Sequence, residues 1–98
     1  MNLRILESAF HDLAEGREFY ERQGAGLGSY FLDSLFSDID SLTLYAGIHR
    51  MVFGFHRMLS RRFPYAIYYQ LENKQAVVYR VLDLRQHPRK IRAVLKSR

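Results

Sequence analysis

Arginine side chains that could grip phosphate are concentrated in the second half of the sequence. Five of them, followed by a histidine, lie on or beside a predicted pair of strands: Arg57, Arg61, Arg62, Arg80, Arg85 and His87. Guanidinium groups clamp phosphate bidentately and stabilise charge that develops at phosphorus. With one acid–base residue, for which His87 and Tyr65 are candidates, such a set would make a metal-independent ribonuclease. Surface arginines also solvate sheets and pair with acids. As a cluster, they favour a binding surface.

The residue types give little evidence for a metal site, a dinucleotide-binding loop or a catalytic nucleophile. There is no cysteine, and the histidines at positions 11, 49, 56 and 87 have no metal-ligand spacing. The glycines at positions 24, 26 and 28 follow a predicted helix and are too closely spaced for a dinucleotide-binding loop. Ser29 and Ser60 have no nearby base that would make them nucleophiles. We therefore expect neither a metal nor a cofactor.

Charge is divided unevenly along the chain. Residues 1–49 carry eight acids and three arginines, whereas residues 50–98 carry twelve Lys or Arg and two acids. The net charges are −5 and +10. This split suggests that the basic half meets a phosphate backbone or an acidic protein partner, although two ordinary solvated surfaces would give the same count.

Length and composition indicate a single folded domain. The 98 residues, 48% of them hydrophobic, suffice for one core, and we place one domain over residues 1–98. The N-terminus has no signal-peptide layout, and no apolar run approaches membrane-spanning length. The expected location is the cytoplasm, without membrane association.

Helices are predicted in the first half of the chain. A short apolar strand, Asn2–Leu6, precedes a helix over Ala9–Arg22, for which Ser8 is the predicted N-cap. Residues 23–26, Gln-Gly-Ala-Gly, end that helix, and the spacing of apolar residues predicts a second one over Leu27–Tyr45. The two form an antiparallel helical hairpin.

Strands are predicted in the second half. Met51–Leu59 is one strand, and Phe63–Leu71 and Ala76–Leu82 form a hairpin whose turn is residues 72–74. Alternation along the first hairpin strand places Tyr68 and Tyr69 on opposite faces, so at least one of them belongs to the core. These tyrosines could stack on bases, but aromatic residues also favour strands for packing reasons alone.

The resulting order of elements is β-α-α-β-β-β. Pro88 then permits a short basic C-terminal helix, whose polar residues are Arg89, Lys90, Arg92, Lys96 and Arg98. Helices grouped early and strands grouped late predict an α+β fold, in which an antiparallel sheet packs against the N-terminal helical hairpin.

The ordered set of segments resembles a known family. Residues 57–69 (RMLSRRFPYAIYY), 77–88 (VVYRVLDLRQHP) and, more weakly, 12–35 (DLAEGREFYERQGAGLGSYFLDSL) are similar to the RelE/ParE superfamily of type II toxin–antitoxin toxins, closest to the ParE (plasmid stabilisation) branch. The resemblance covers nearly the whole chain. It implies a toxin that inhibits growth and is neutralised by a cognate antitoxin.

The resemblance leaves two targets open. ParE-like members poison DNA gyrase, whereas RelE-like members cut mRNA in the ribosomal A site without a metal. This sequence has Ala66 after Tyr65, where RelE-like strands tend to carry arginine, and no tyrosine after Tyr79; it keeps the basic Arg85. The departures favour gyrase. The RelE-like alternative, an endoribonuclease acting on ribosome and mRNA, would use Arg57, Arg61, Arg62, Arg85 and His87. A member that has lost toxicity and survives as a binding module is a third reading.

The residues predicted to bind a protein partner overlap with that set. They are Arg57, Arg61, Arg62, Tyr65, Arg80, Arg85, Arg89, Lys90 and Arg92. The antitoxin's C-terminal segment is expected to wrap the helices and the sheet, pairing its acids with these cations.

Overall fold

The computed structural model describes residues 1–97, so the predicted basic residue Arg98 lies outside it. Four helices and five strands follow one another as β1 (Asn2–Ile5), α1 (Glu7–Gln23), α2 (Leu27–Asp40), α3 (Leu42–Tyr45), β2 (Met51–Val52), β3 (Phe55–Leu59), β4 (Tyr65–Glu72), β5 (Gln75–Asp83) and α4 (Pro88–Lys96). The α+β fold is confirmed. Over these residues, no helix is long and apolar enough to cross a bilayer.

The predicted helical hairpin is present as α1 and α2. The Glu21 carboxylate closes its turn by accepting the backbone N–H groups of Gly26 and Gly28, at 3.1 and 2.9 Å. Those two hydrogen bonds hold the pKa of Glu21 below its ordinary value. Gly28 lies so close to α1 that an added Cβ would come within 2.8 Å of the Arg17 carbonyl oxygen, and this close approach requires glycine.

The prediction that Ser8 caps α1 is wrong. The helix begins at Glu7, with Leu6 as its N-cap residue, and Ser8 lies inside the first turn. Its hydroxyl instead donates a hydrogen bond to the Tyr79 carbonyl oxygen at 2.7 Å. The tertiary contact therefore overrides the local capping preference.

Two predicted elements are each divided in the structure. The second helix is interrupted at Ser41, whose hydroxyl donates to the Asp38 carbonyl oxygen at 2.6 Å, and α3 follows. The predicted strand 51–59 turns back on itself at Phe53 and Gly54, which have φ angles of 55° and 85°. Left-handed backbone at two successive residues permits a tight hairpin, so one long strand becomes β2 and β3.

The five strands form one sheet in the order β1-β5-β4-β3-β2. β3, β4 and β5 are antiparallel neighbours as predicted, and β2 adds an antiparallel pairing with β3 that was not predicted. β1 pairs with β5 in parallel, which makes the sheet mixed. Parallel neighbours need a long connection, and here everything from α1 to β4 supplies it. The register of β4 and β5 shifts by one residue at Tyr79, since Tyr68 lies opposite Arg80 and Tyr69 lies opposite Val78. This β-bulge lies in the middle of β5.

The sheet is covered on both faces, which explains why β4 is buried without interruption from Tyr65 to Tyr69. Tyr65, Ile67 and Tyr69 pack with residues of α1 and α2. Ala66 and Tyr68 pack on the opposite face with Ile91 and Leu95 of α4. Both central tyrosines of β4 thus belong to a core; at 1% and 0% exposure, neither Tyr68 nor Tyr69 can offer its ring as a stacking platform.

Candidate functional site

The outer edge of β5 is closed by side chains of α1. β1 ends with the Leu6 N–H group donating to the Val78 carbonyl oxygen. Beyond that point, Ser8 bonds the Tyr79 carbonyl, and the Val81 N–H group donates to the Asp12 carboxylate at 2.9 Å. Two residues one helical turn apart on α1 therefore continue the hydrogen bonding that β1 begins.

Arg80 is held by this same carboxylate. Its guanidinium donates two hydrogen bonds to Asp12, from Nε at 2.7 Å and from Nη2 at 2.8 Å. The hydrogen bond to Asp12 raises the pKa of Arg80. Asp12 is buried and Arg80 is only a quarter exposed, so the pair joins α1 to β5. The charge of Arg80 is compensated within the fold.

Arg85 is also paired. Its guanidinium donates to both oxygens of Asp83, at 3.0 and 2.7 Å, and lies over the Phe19 ring at 5.3 Å. Partial burial would raise the pKa of Asp83, but the hydrogen bonds from Arg85 outweigh burial and lower it. Half of the Arg85 side chain is exposed. The side chain remains accessible to a partner, but two of its guanidinium N–H groups already bind the Asp83 carboxylate.

Two buried tyrosines of β4, Tyr65 and Tyr68, are poor proton carriers. Burial raises the pKa of Tyr65 to about 12, and it also raises the pKa of Tyr68 despite the opposing effect of the neighbouring Arg57 guanidinium. A general acid or base works best with a pKa near the ambient pH. Tyr65, the predicted alternative to His87, does not meet this requirement.

His87 has a structural role at the start of α4. It is the N-cap residue, and its Nδ1 accepts a hydrogen bond from the Arg89 N–H group at 3.1 Å. The helix that it begins presents Arg89, Lys90 and Arg92 to solvent. Lys90 lines a groove of about 650 Å³ between α1, the end of β5 and α4, in which bases such as Arg22 face acids such as Glu18.

Arg61 and Arg62 lie in the segment between β3 and β4. Buried Asp38 of α2 fixes this segment, because one of its carboxylate oxygens accepts the Ser60 hydroxyl at 2.8 Å and the Arg61 N–H group at 3.3 Å. The Arg62 guanidinium lies 5.9 Å from the centre of the Tyr30 ring. Both arginines are exposed and, within residues 1–97, neither forms an ion pair.

The outer edge of β3 has no such cover. β2 pairs only with Phe55 and His56, and the last backbone bond to this side runs from the Arg57 N–H group to the Arg50 carbonyl oxygen at 3.0 Å. A cleft of about 520 Å³ opens beside Arg57–Leu59, and Arg50 and Arg61 also line it. Arg50 was not among the residues predicted from the sequence.

A partly buried hydrogen-bond network holds the loop that carries Arg50. The Tyr69 hydroxyl oxygen accepts the N–H group of Gly47 at 2.9 Å, and the hydroxyl forms a hydrogen bond of 2.5 Å with His49 Nδ1. The His49 carbonyl oxygen in turn accepts from His56 Nδ1 at 2.7 Å. Burial, and secondarily the charge of His56, lower the pKa of His49.

The predicted arginine cluster is therefore divided among separate places. Arg57 lies opposite Tyr68 in the register, on the face covered by α4. Arg85 packs against Phe19 and Tyr20 of α1, on the other side of the sheet. Arg61 and Arg62 lie over α2, and His87 caps α4. The structure does not bring the five groups predicted for RNA cleavage around one reacting phosphate.

Comparison with known proteins supports the fold. No protein-family model matches the sequence, and no curated protein matches it. Among solved structures, the chain is similar to a chain of "Chromosomal ParDE TA system from P. aeruginosa", with a TM-score of 0.79 and 19% identity, covering 86% of this chain and 96% of that one. The resemblance to the ParE branch is confirmed at the level of the fold.

Proposed function

We propose that this protein is the toxin of a type II toxin–antitoxin module, and that it inhibits growth by binding DNA gyrase and is neutralised by a cognate antitoxin. The observation that carries the proposal is the fold match to the P. aeruginosa ParDE system across most of both chains. A shared fold alone does not determine a target. The choice between gyrase and the ribosome depends on the residues themselves.

The distribution of the cations favours binding over cleavage. Metal-free cleavage of RNA needs phosphate-gripping and proton-transferring groups around one scissile bond. Here Arg57 and Arg85 belong to opposite faces of the sheet, and Arg85 already grips Asp83. Tyr65 is buried with a raised pKa, and the Nδ1 atom of His87 is used as a cap. These placements support a protein-binding toxin.

The antitoxin is the second partner in the proposal. Exposed cations outside the Asp12–Arg80 and Asp83–Arg85 pairs offer it two basic patches: Arg50, Arg61 and Arg62 beside β3, and Arg89, Lys90 and Arg92 on α4. An acidic, initially disordered segment would gain both charge pairing and order on these patches. A short neighbouring gene that encodes a DNA-binding protein is the expected source.

Growth and two biochemical assays test the proposal together. Induced expression should arrest growth, and co-expression of the neighbouring gene should restore it. Purified protein should then inhibit supercoiling by gyrase and leave ribosome-bound mRNA intact. A-site cleavage with unchanged supercoiling would overturn the gyrase target. In that case Arg85→Ala would show whether Arg85 takes part in cleavage. Harmless expression would instead indicate a binding module without toxicity.

A further inference from the structure

We propose that the outer edge of β3, from Arg57 to Leu59, binds an acidic peptide segment in extended conformation as an added strand, with Arg50 and Arg61 receiving its carboxylates. This site is defined by backbone and charge on this chain alone. The inference deepens the proposed function, in which an acidic antitoxin segment recognises Arg50 and Arg61, and it rests on that function for the source of the segment.

The backbone of β3 offers hydrogen-bonding groups on this side. In an antiparallel ladder, successive residues point their N–H and C=O groups alternately toward one neighbour and the other. The Ser60 N–H group points to β4, where it bonds the Tyr65 carbonyl oxygen, and the Arg57 N–H group points outward to Arg50. The N–H and C=O groups of Leu59 therefore also point outward, beyond the end of β2.

The contrast with β5 shows that this open edge is a specific feature. At β5 the strand continues past its neighbour β1, but Ser8 and Asp12 occupy its outward groups. At β3 the strand continues past β2 into a cleft. Open edges are usually paired or guarded because they recruit other strands. The site at β3 is guarded by arginines, and arginine repels cationic strands while attracting acidic ones.

The charge at the cleft is not compensated. Within residues 1–97, Arg50, Arg57 and Arg61 form no ion pair, and the buried Nε atom of Arg57 has no hydrogen-bond partner. The single carboxylate that lines the cleft is Asp38. Asp38 is buried and already holds Ser60 and the Arg61 backbone. The cleft therefore presents net positive charge to an incoming segment.

The same residues favour a peptide over a single-stranded nucleic acid. Sequence-tolerant binding of single strands uses aromatic side chains on which bases stack. Among the described residues, those that line the cleft include no Phe, Tyr or Trp. A peptide strand could use both the outward backbone groups and the cations. A nucleic acid would use only the cations.

A synthetic probe tests the site. The probe is a capped hexapeptide of alternating Glu and Val, titrated into the full-length protein while amide chemical shifts are followed by NMR. We expect saturable shifts centred on residues 57–59, weaker at high salt because charge contributes. Absence of binding, or shifts centred elsewhere, would overturn the proposal.

Two variants at Leu59 separate the backbone from the side chain. Leu59→Pro removes the outward N–H group without removing a bond to β4, and should weaken binding about fivefold, the effect of one lost hydrogen bond. Leu59→Ala keeps the N–H group and should bind within about twofold. Equal binding by the two variants would contradict strand addition. If Leu59→Pro does not fold, the wild-type protein can be titrated with a probe whose backbone nitrogens facing β3 are N-methylated. Such a probe cannot donate hydrogen bonds to the backbone of β3, and undiminished binding would contradict the proposal.

Charge variants and a second anion complete the test. Arg50→Gln and Arg61→Gln should each weaken binding of the probe, while Arg92→Gln on α4 should leave it unchanged. A thymidine hexanucleotide should bind more weakly than the peptide. If it binds the same amides as tightly, the site recognises anions in general, and the proposal of a peptide strand fails. None of these readouts involves toxicity, so they can fail or succeed independently of the proposed function.

Discussion

The two ends of the sheet use arginine in different ways. At β5, Arg80 forms an ion pair with Asp12, and Arg85, two residues beyond the end of the strand, forms one with Asp83. Beside β3, Arg50 and Arg61 have no acid within ion-pair distance among residues 1–97, and an open strand edge lies between them. The first pair of residues joins elements of the fold, whereas the second pair is available to a partner.

A run of cations in a sequence is therefore not a single surface in the fold. Arg80 and Arg61 both come from the basic half of the chain. Helix α1, from the acidic half, brings the Asp12 carboxylate to Arg80, whereas Arg61 forms no ion pair among residues 1–97. The charge split between the halves is thus partly cancelled in three dimensions. The arginines that remain without an ion pair mark the surface where a partner of opposite charge gains the most binding energy.

Removing Asp12 should have the largest effect on the β5 end. Asp12→Ala leaves the Val81 N–H group and the Arg80 guanidinium without their acceptor, and we expect a loss of about 2–4 kcal/mol in the free energy of unfolding, measured with urea. Glu15→Ala is the matched control, one turn along the same helix and mostly exposed, with an expected change below about 0.5 kcal/mol. Equal losses in the two variants would show that Asp12 does not join α1 to β5.

Acidification should loosen the β3 end selectively. The pKa of His49 is lowered in the fold, so near its ordinary value of 6.5 the unfolded chain binds more protons. Stability is then complete above that pH and is lost as the pH falls toward the lowered value. We expect faster amide exchange in residues 46–50 at about pH 5 than at about pH 8, after correction for intrinsic rates, with less change at Val81.

His49→Gln should remove this response. The glutamine carbonyl oxygen can still accept the Tyr69 hydroxyl, but it does not titrate. His11→Gln, an exposed histidine on α1, is the control and should keep the wild-type pH dependence. A His49→Gln variant with unchanged pH dependence would mean that another group controls this loop.

The Asp83–Arg85 pair should contribute less than the Asp12–Arg80 pair. Both of its members are substantially exposed, and exposed ion pairs are worth about 0.2–1 kcal/mol. Arg85→Gln should therefore lower the urea midpoint of unfolding only slightly, and by less than Arg80→Gln measured under the same conditions. If Arg85→Gln is the more damaging change, burial does not decide which arginine stabilises this end.

Much of the fold could be predicted from local patterns. The helical hairpin, the β4–β5 hairpin and the C-terminal helix all follow from apolar periodicity and from turn residues at the expected places. The two-residue periodicity of a strand correctly places Tyr68 and Tyr69 on opposite faces of β4. Both are buried because both faces of the sheet are covered. The parallel pairing of β1 with β5 has no local signal, since it depends on how the whole chain returns.

The site was harder to predict because its properties are tertiary. Nothing near Arg80 in sequence shows that Asp12, 68 positions away, neutralises it. Arg50 was missed because only the tight turn at Phe53 and Gly54 brings it opposite Arg57. A left-handed turn at a phenylalanine is unusual, and so the sequence favoured one uninterrupted strand.

Urea unfolding of three matched variants tests whether Arg80 stabilises the fold while Arg50 and Arg61 do not. Arg80→Gln should lose about 1–3 kcal/mol, because Asp12 stays buried without its main partner. Arg50→Gln and Arg61→Gln should each change stability by less than about 0.5 kcal/mol. If Arg50→Gln or Arg61→Gln costs as much as Arg80→Gln, the β3-edge charges are part of the fold, and the account is contradicted.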